Sequence, residues 1–149
     1  MRKRILVALL IVAAVVALDQ LTKHLTRTMI HPLEPIRLLP VLELVNVRNE
    51  GAAFGMFREF GNTFFISVSL LAISFMAWII AAGKEDYRVF SLLMAGAIGN
   101  LIDRVTLGYV VDFVSVGYGR YHWPAFNVAD SALTGGICFM IFTLLRRKA

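Results

Sequence analysis

The chain has 149 residues, 58% of them hydrophobic and only 17% charged, with a mean hydropathy of +0.73. Average soluble domains carry about 25% charged residues, so an ordinary water-soluble core is excluded and part of the solvent must be lipid. The formal charge of +5 does not argue for nucleic acid, because its basic residues flank apolar runs instead of clustering on one solvated face.

The first apolar run, Ile5 to Leu18, continues through Asp19 and Gln20 to Leu25 and predicts a helix over 5–25. A basic start before an apolar run also fits a signal peptide, with Val15-Val16-Ala17 as a weak cleavage-like site. The later spans favour a retained first transmembrane helix. Pro32, Pro35 and Pro40 then break any helix. Leu42 and Leu44 alternate with Glu43, and Asn49-Glu50-Gly51 offers a turn, which predicts a small β-element over 36–58. Thr63 to Ala82 is uncharged and long enough for a bilayer core, predicting a second helix over 63–82. A third helix is expected over 87–104 and a fourth over 129–146. Tyr118, Tyr121, Trp123 and Phe126 crowd the connection between them, as in an interfacial aromatic belt.

The expected fold is therefore membrane all-α: four transmembrane helices in a single domain, 1–149, with a small extracytoplasmic β-sheet element between helices one and two. Arg2, Lys3 and Arg4 at one terminus, Arg146, Arg147 and Lys148 at the other, and Lys84 with Arg88 between helices two and three assign both termini to the cytoplasm. Between His24 and Asn62, Arg27, Arg37, Arg48 and Arg58 are matched by Glu34, Glu43, Glu50 and Glu59, so that segment falls outside. The single cysteine, Cys138, excludes an internal disulfide and reads as a small buried packing residue. Ala95, Gly96, Ala97, Gly99, Gly135 and Gly136 read as sites of close helix contact.

Charges at the edge of apolar spans are costly and call for a reason. Here Asp19, Lys23, Asp103, Arg104, Asp112 and Asp130 all fall at the outer helix ends. Asp112 and Asp130 lie on either side of one outer connection, so their carboxylates can meet. Two carboxylates in one site resist joint ionisation. One can then take a proton from water while the other polarises a scissile carbonyl. The bland alternatives are an N-cap role for Asp130, pairing of Asp112 with Arg104 or Arg120, and a structural Asp103–Arg104 pair. A Ser131–Lys23 nucleophile pair is a further option. His24, His31 and His122 show no metal-ligand spacing, and no phosphate-binding loop is present.

Five motifs sharpen this reading: Asp19-Gln20-Leu21-Thr22-Lys23, Asn49-Glu50-Gly51-Ala52-Ala53-Phe54-Gly55, Gly99-Asn100-Leu101-Ile102-Asp103-Arg104, Gly108-Tyr109-Val110-Val111-Asp112-Phe113 and Phe126-Asn127-Val128-Ala129-Asp130-Ser131. In order and spacing the chain resembles the bacterial lipoprotein signal peptidase (signal peptidase II) family. The resemblance implies an aspartic endopeptidase of the bacterial plasma membrane that needs no metal or cofactor. Its substrates would be diacylglyceryl-modified prolipoproteins, cut just before the lipidated cysteine, and the cyclic peptide globomycin would bind at the same site. By the same resemblance, Asp112 and Asp130 form the catalytic pair. Asn49, Asn100, Arg104 and Asn127 hold substrate backbone or steady the pair, with Gly51 and Ala129 beside them. Asp19 and Lys23 form a supporting ion pair, and Asp103 has a similar part. The outer sheet, with Phe54 and Met56, could clamp the lipid-bearing segment. Two rival readings stand: a small ion- or proton-coupled transporter with carboxylates strung along a path, and a structural subunit whose charges pair to partner helices.

Overall fold

A computed structural model of the chain describes residues 2–51, 58–83, 85–119 and 121–148. Four helices carry the fold: α1 (Arg2–Met29), α2 (Gly61–Ala82), α3 (Tyr87–Thr106) and α4 (Val128–Lys148). Each is long and apolar enough to cross a membrane. Most of their large apolar side chains, including Leu10, Leu71, Trp78 and Phe142, are exposed. Such surfaces would be intolerable in water and are the expected ones in lipid.

Helix α3 is the hub and packs against α1, α2 and α4. Its small residues make this possible. A Cβ at Gly96 would fall 2.4 Å from the Ala129 carbonyl oxygen, and one at Gly99 would fall 2.6 Å from Asp19 Oδ2. Gly136 likewise faces Leu93, whereas Gly135 meets nothing within 4 Å and so is not a packing contact. Cys138 also departs from expectation: it is exposed, pointing out of the bundle. At the end that holds the α2–α3 turn, Met76, Val89 and Leu93 form a small apolar cluster with Ile73 and Met140 against it. There Arg4 donates to the carbonyls of Gly83 (2.9 Å) and Glu85 (3.1 Å), and lies over the Tyr87 ring. Gly83 adopts φ 77° to end α2, a left-handed cap that suits glycine.

The opposite end carries an antiparallel sheet of four strands in the order β1-β2-β3-β4. These are β1 (Ile36–Leu39), β2 (Leu42–Asn49), β3 (Val110–Tyr118) and β4 (Tyr121–His122). The sheet is thus not confined to the connection between α1 and α2, because half of its strands come from the connection between α3 and α4. β2 pairs with β3 over Leu42↔Val116 to Asn49↔Val110, with an irregularity between Leu44 and Val47. Asn46 fastens the sheet to the bundle by donating to the carbonyl of Ile30 (2.8 Å), just past the end of α1, and more distantly to that of Thr26 (3.5 Å). A 3-10 turn, Arg58–Phe60, leads into α2. The Ala52 to Gly55 part of the second motif, Phe54, Met56, Lys84 and Arg120 all lie outside the described residues.

Candidate active site

Each carboxylate of the candidate pair is carried by a different kind of element. Asp112 lies in β3, opposite Val47 of β2, and is 2% exposed. Asp130 lies in the first turn of α4. Asn127 stands just before that helix. Its Oδ1 accepts from the Asp130 backbone N–H (2.8 Å), and Asp130 Oδ2 accepts from the Asn127 N–H (3.2 Å). This reciprocal arrangement is a capping box, so Asp130 does cap its own helix. The same Asn127 reaches the other acid, its Nδ2 donating to Asp112 Oδ1 (2.7 Å), Asn100 Oδ1 (3.2 Å) and the Val111 carbonyl (3.2 Å). One asparagine therefore couples both carboxylates.

The remaining acceptor oxygens are also engaged. Asn49 Nδ2 donates to Asp112 Oδ2 (3.0 Å), while its Oδ1 accepts from the Gly51 N–H (3.0 Å) in a tight turn. Asn100 Nδ2 donates to Asp130 Oδ1 (2.8 Å). Burial pushes the Asp112 carboxyl from its ordinary 3.8 up to about 7, helped by the nearby charge of Asp130 and opposed by Asn49, Asn127 and Lys23. Asp112 thus holds its proton more tightly than an ordinary carboxyl, as expected where two acids share a site.

Behind the pair lies a buried ion cluster. Lys23, 1% exposed, places its ammonium 2.9 Å from Asp19 and 3.1 Å from Asp103, and donates to Asn100 Oδ1 at 2.9 Å. A lysine so deeply buried needs such pairing, since an isolated buried charge is prohibitive. Asp103 thus pairs with Lys23 and not with its neighbour Arg104. Arg104 donates instead to the Gly51 carbonyl (3.0 Å) and lies over the Phe65 ring, 4.9 Å from its centroid. The Ser131–Lys23 nucleophile option fails on the same geometry, because the Ser131 hydroxyl donates to the Asn127 carbonyl (2.9 Å) and Lys23 is fully committed elsewhere.

A cavity of about 680 Å³ opens beside these groups. Asn49, Asn100, Arg104 and Asp130 line its polar side, and Trp123, Phe126 and Leu133 its apolar side. That division suits a ligand with a peptide backbone and a greasy body. No cluster of His, Cys, Asp or Glu among the described residues could hold a metal ion.

Three polar residues with structural contacts here were not singled out from sequence. Asn46 and Asn62 look like ordinary turn residues, yet Asn62 Nδ2 donates to the Arg104 carbonyl (2.8 Å) and closes the end of α3. Gln20 contacts Asp19, Asp103 and Gly99. A neutral amide inside an apolar run is its signal in the sequence.

Fold and site together define a class: a multi-pass membrane protein whose polar residues converge on a cavity at one end of its helix bundle. Comparison with known proteins narrows it. Residues 11–146 match the family model described as signal peptidase (SPase) II. The chain is 41% identical over 133 residues to the lipoprotein signal peptidase of Thermodesulfovibrio yellowstonii, covering 89% of this chain and 90% of that one. It is 44% identical over 147 residues to that of Syntrophotalea carbinolica, covering 94% and 91%. A bacterial membrane enzyme structure obtained by the in meso method at 2.3 Å superposes with a TM-score of 0.87 at 35% identity, covering 96% of this chain and 90% of the other. The chain belongs to the signal peptidase II family and is a membrane peptidase.

Proposed function

We propose that this chain is an aspartic endopeptidase that removes signal peptides from diacylglyceryl-modified prolipoproteins, cutting just before the lipidated cysteine. Asp112 and Asp130 act as the catalytic pair. The observation that carries the reading is the coupling of two carboxylates through Asn127, with Asp130 lining the cavity and Asp112 buried just behind it. Asp130, at the positive end of α4, is favoured as the anion and takes a proton from water. Asp112, its proton held more tightly than an ordinary carboxyl's, polarises the scissile carbonyl and then protonates the developing oxyanion. Asn49, Asn100 and Asn127 hold the two carboxylates so that water and carbonyl meet at a fixed distance. Arg104 steadies Gly51 at the cavity edge.

The proposed setting is the bacterial plasma membrane, with both termini cytoplasmic and the active site at the extracytoplasmic face. Basic residues at the termini and around the α2–α3 turn support this orientation. A precursor anchored by two acyl chains in the outer leaflet would hold its scissile bond at the depth of the pair, among membrane lipid. Globomycin, a cyclic peptide, suits the same cavity. The transporter reading finds little support: the acids gather at one end, and α2 carries no charge along its length.

The test is incubation of the purified chain with a diacylglyceryl-modified and an unmodified precursor. Cleavage of the modified one alone is expected. Equal cleavage of both would remove the lipid requirement, and cleavage of neither would remove the function.

A further inference from the structure

Two backbone tethers reach the catalytic pair from behind, and they are alike. Asp19 Oδ1 accepts from the Ala129 N–H (2.8 Å), the residue before Asp130. Asp103 Oδ2 accepts from the Val111 N–H (2.9 Å), the residue before Asp112. Each acid of the pair therefore hangs one residue from an amide gripped by a carboxylate deeper in the bundle. The separation and tilt of the pair depend on how Asp19 and Asp103 are held relative to one another.

Lys23 supplies one link between them, contacting Asp19 Oδ2 and Asp103 Oδ2. A lysine ammonium is a compact point charge that attracts without fixing orientation. A carboxylate held at one oxygen alone can still rotate. Gln20 supplies the second link: its Nε2 lies 3.1 Å from Asp19 Oδ2, 3.1 Å from Asp103 Oδ1 and 3.1 Å from the Gly99 carbonyl. All three neighbours are acceptors, so the amide nitrogen and not its oxygen must face them, with one hydrogen shared. On Asp103 the two links take different oxygens, which fixes the rotation of the carboxylate and keeps Oδ2 turned to Val111. On Asp19 both take Oδ2, which leaves Oδ1 for Ala129. There is no slack, since a Cβ at residue 99 would stand 2.6 Å from Asp19 Oδ2.

We infer that Gln20 is a positioning residue for the proposed reaction, the neutral cross-brace that sets the geometry of Asp112 against Asp130 through Asp103 and Asp19. Its hydrogen-bond partners, Asp19, Gly99 and Asp103, belong neither to the cavity lining nor to the pair. A carboxylate in its place would repel the two acids that it joins.

This inference rests on the proposed function, so the wild-type enzyme and Asp112→Asn are assayed beside the Gln20 variants. Wild-type cleavage of the lipidated precursor that Asp112→Asn abolishes upholds the function. Absence of that difference overturns the function and the inference with it. On an active background, Gln20→Met, which keeps length and volume, is expected to lower kcat about tenfold with KM within about twofold at a temperature where the variant is fully folded, its melting temperature falling only by the loss of one donor to Asp103. Gln20→Glu sets a third acid against Asp19 of α1 and Asp103 of α3, with Lys23 the facing cation. Its activity relative to wild type is expected to fall further than that of Gln20→Met at about pH 8. The relative activity should recover towards about pH 6, as a protonated glutamic acid can donate a hydrogen bond again. The relative activity of Gln20→Met should stay flat over that range. Wild-type kcat in Gln20→Met, or a loss that follows melting temperature, would overturn the brace. So would a flat pH ratio for Gln20→Glu.

Discussion

Helices α2 and α3 lie side by side but differ in what they bury. α3 buries Ser91, Asn100 and Asp103 and places small residues against α1 and α4. α2 buries only Met76 and Ile80 and turns Leu71, Phe75 and Trp78 outward. In lipid, outward apolar side chains gain nothing by moving inward, because the tails are as apolar as a leucine. Apolar pattern therefore says that α2 spans a membrane and little about where it sits. Position is set by the polar residues of α1, α3 and α4, whose bonds can be satisfied only in one arrangement.

Substitutions can break this contrast, beginning with the largest effect. Asp112→Asn and Asp130→Asn should each lower turnover by about 10²–10⁴-fold while the protein remains inserted, as mass spectrometry of the lipidated precursor would register. Lys23→Met strips the cation that bridges the buried Asp19 and Asp103 and should cost about 3–5 kcal/mol of stability, read as a large fall in melting temperature in detergent. Asn127→Ala leaves Asp112 and the Asp130 backbone N–H each short of a partner. It should cost about 1–3 kcal/mol and reduce kcat, but less than loss of either aspartate.

A gentler lever is pH. Because the Asp112 carboxyl is raised from 3.8 to about 7 in the folded protein, the native state binds more protons than the unfolded chain between those values. Stability should therefore decline as pH rises from about 4 to about 7 and level off above. Unfolding at stepped pH would show this slope, and Asp112→Asn should flatten it. At the small end, Leu71→Ala on the outward face of α2 should shift stability by no more than about 0.5 kcal/mol. A loss as large as that of Lys23→Met would mean that α2 is packed against something beyond this chain.

The same contrast explains what the sequence could and could not reveal. The four spans were legible because bilayer thickness imposes a length on apolar runs. The strand at Leu42 to Asn49 was legible from alternation and its terminal turn. β3 was not, because Val110, Val111, Asp112 and Phe113 are buried in succession, which erases the two-residue period that marks a half-exposed strand. The convergence of Asp19, Lys23, Asp103, Asp112 and Asp130 followed from topology, but the pairing did not. Asp103 sits beside Arg104 in sequence yet bonds Lys23, 80 positions away by subtraction of their numbers. Gln20 went unnoticed for a related reason: an uncharged amide announces no partner until the two acids it joins are in view.

The capping box at the head of α4 carries a practical consequence. Asp130 is both half of the candidate reactive pair and a fastening of its own helix. Silencing it therefore disturbs scaffold and chemistry together. Asp112 hangs from a strand and, among the described residues, receives side-chain donors from Asn49 and Asn127. An inert form meant to capture an uncut precursor for imaging is best made at 112, where asparagine sets its amide NH2 against one neighbouring donor but leaves the cap of α4 intact.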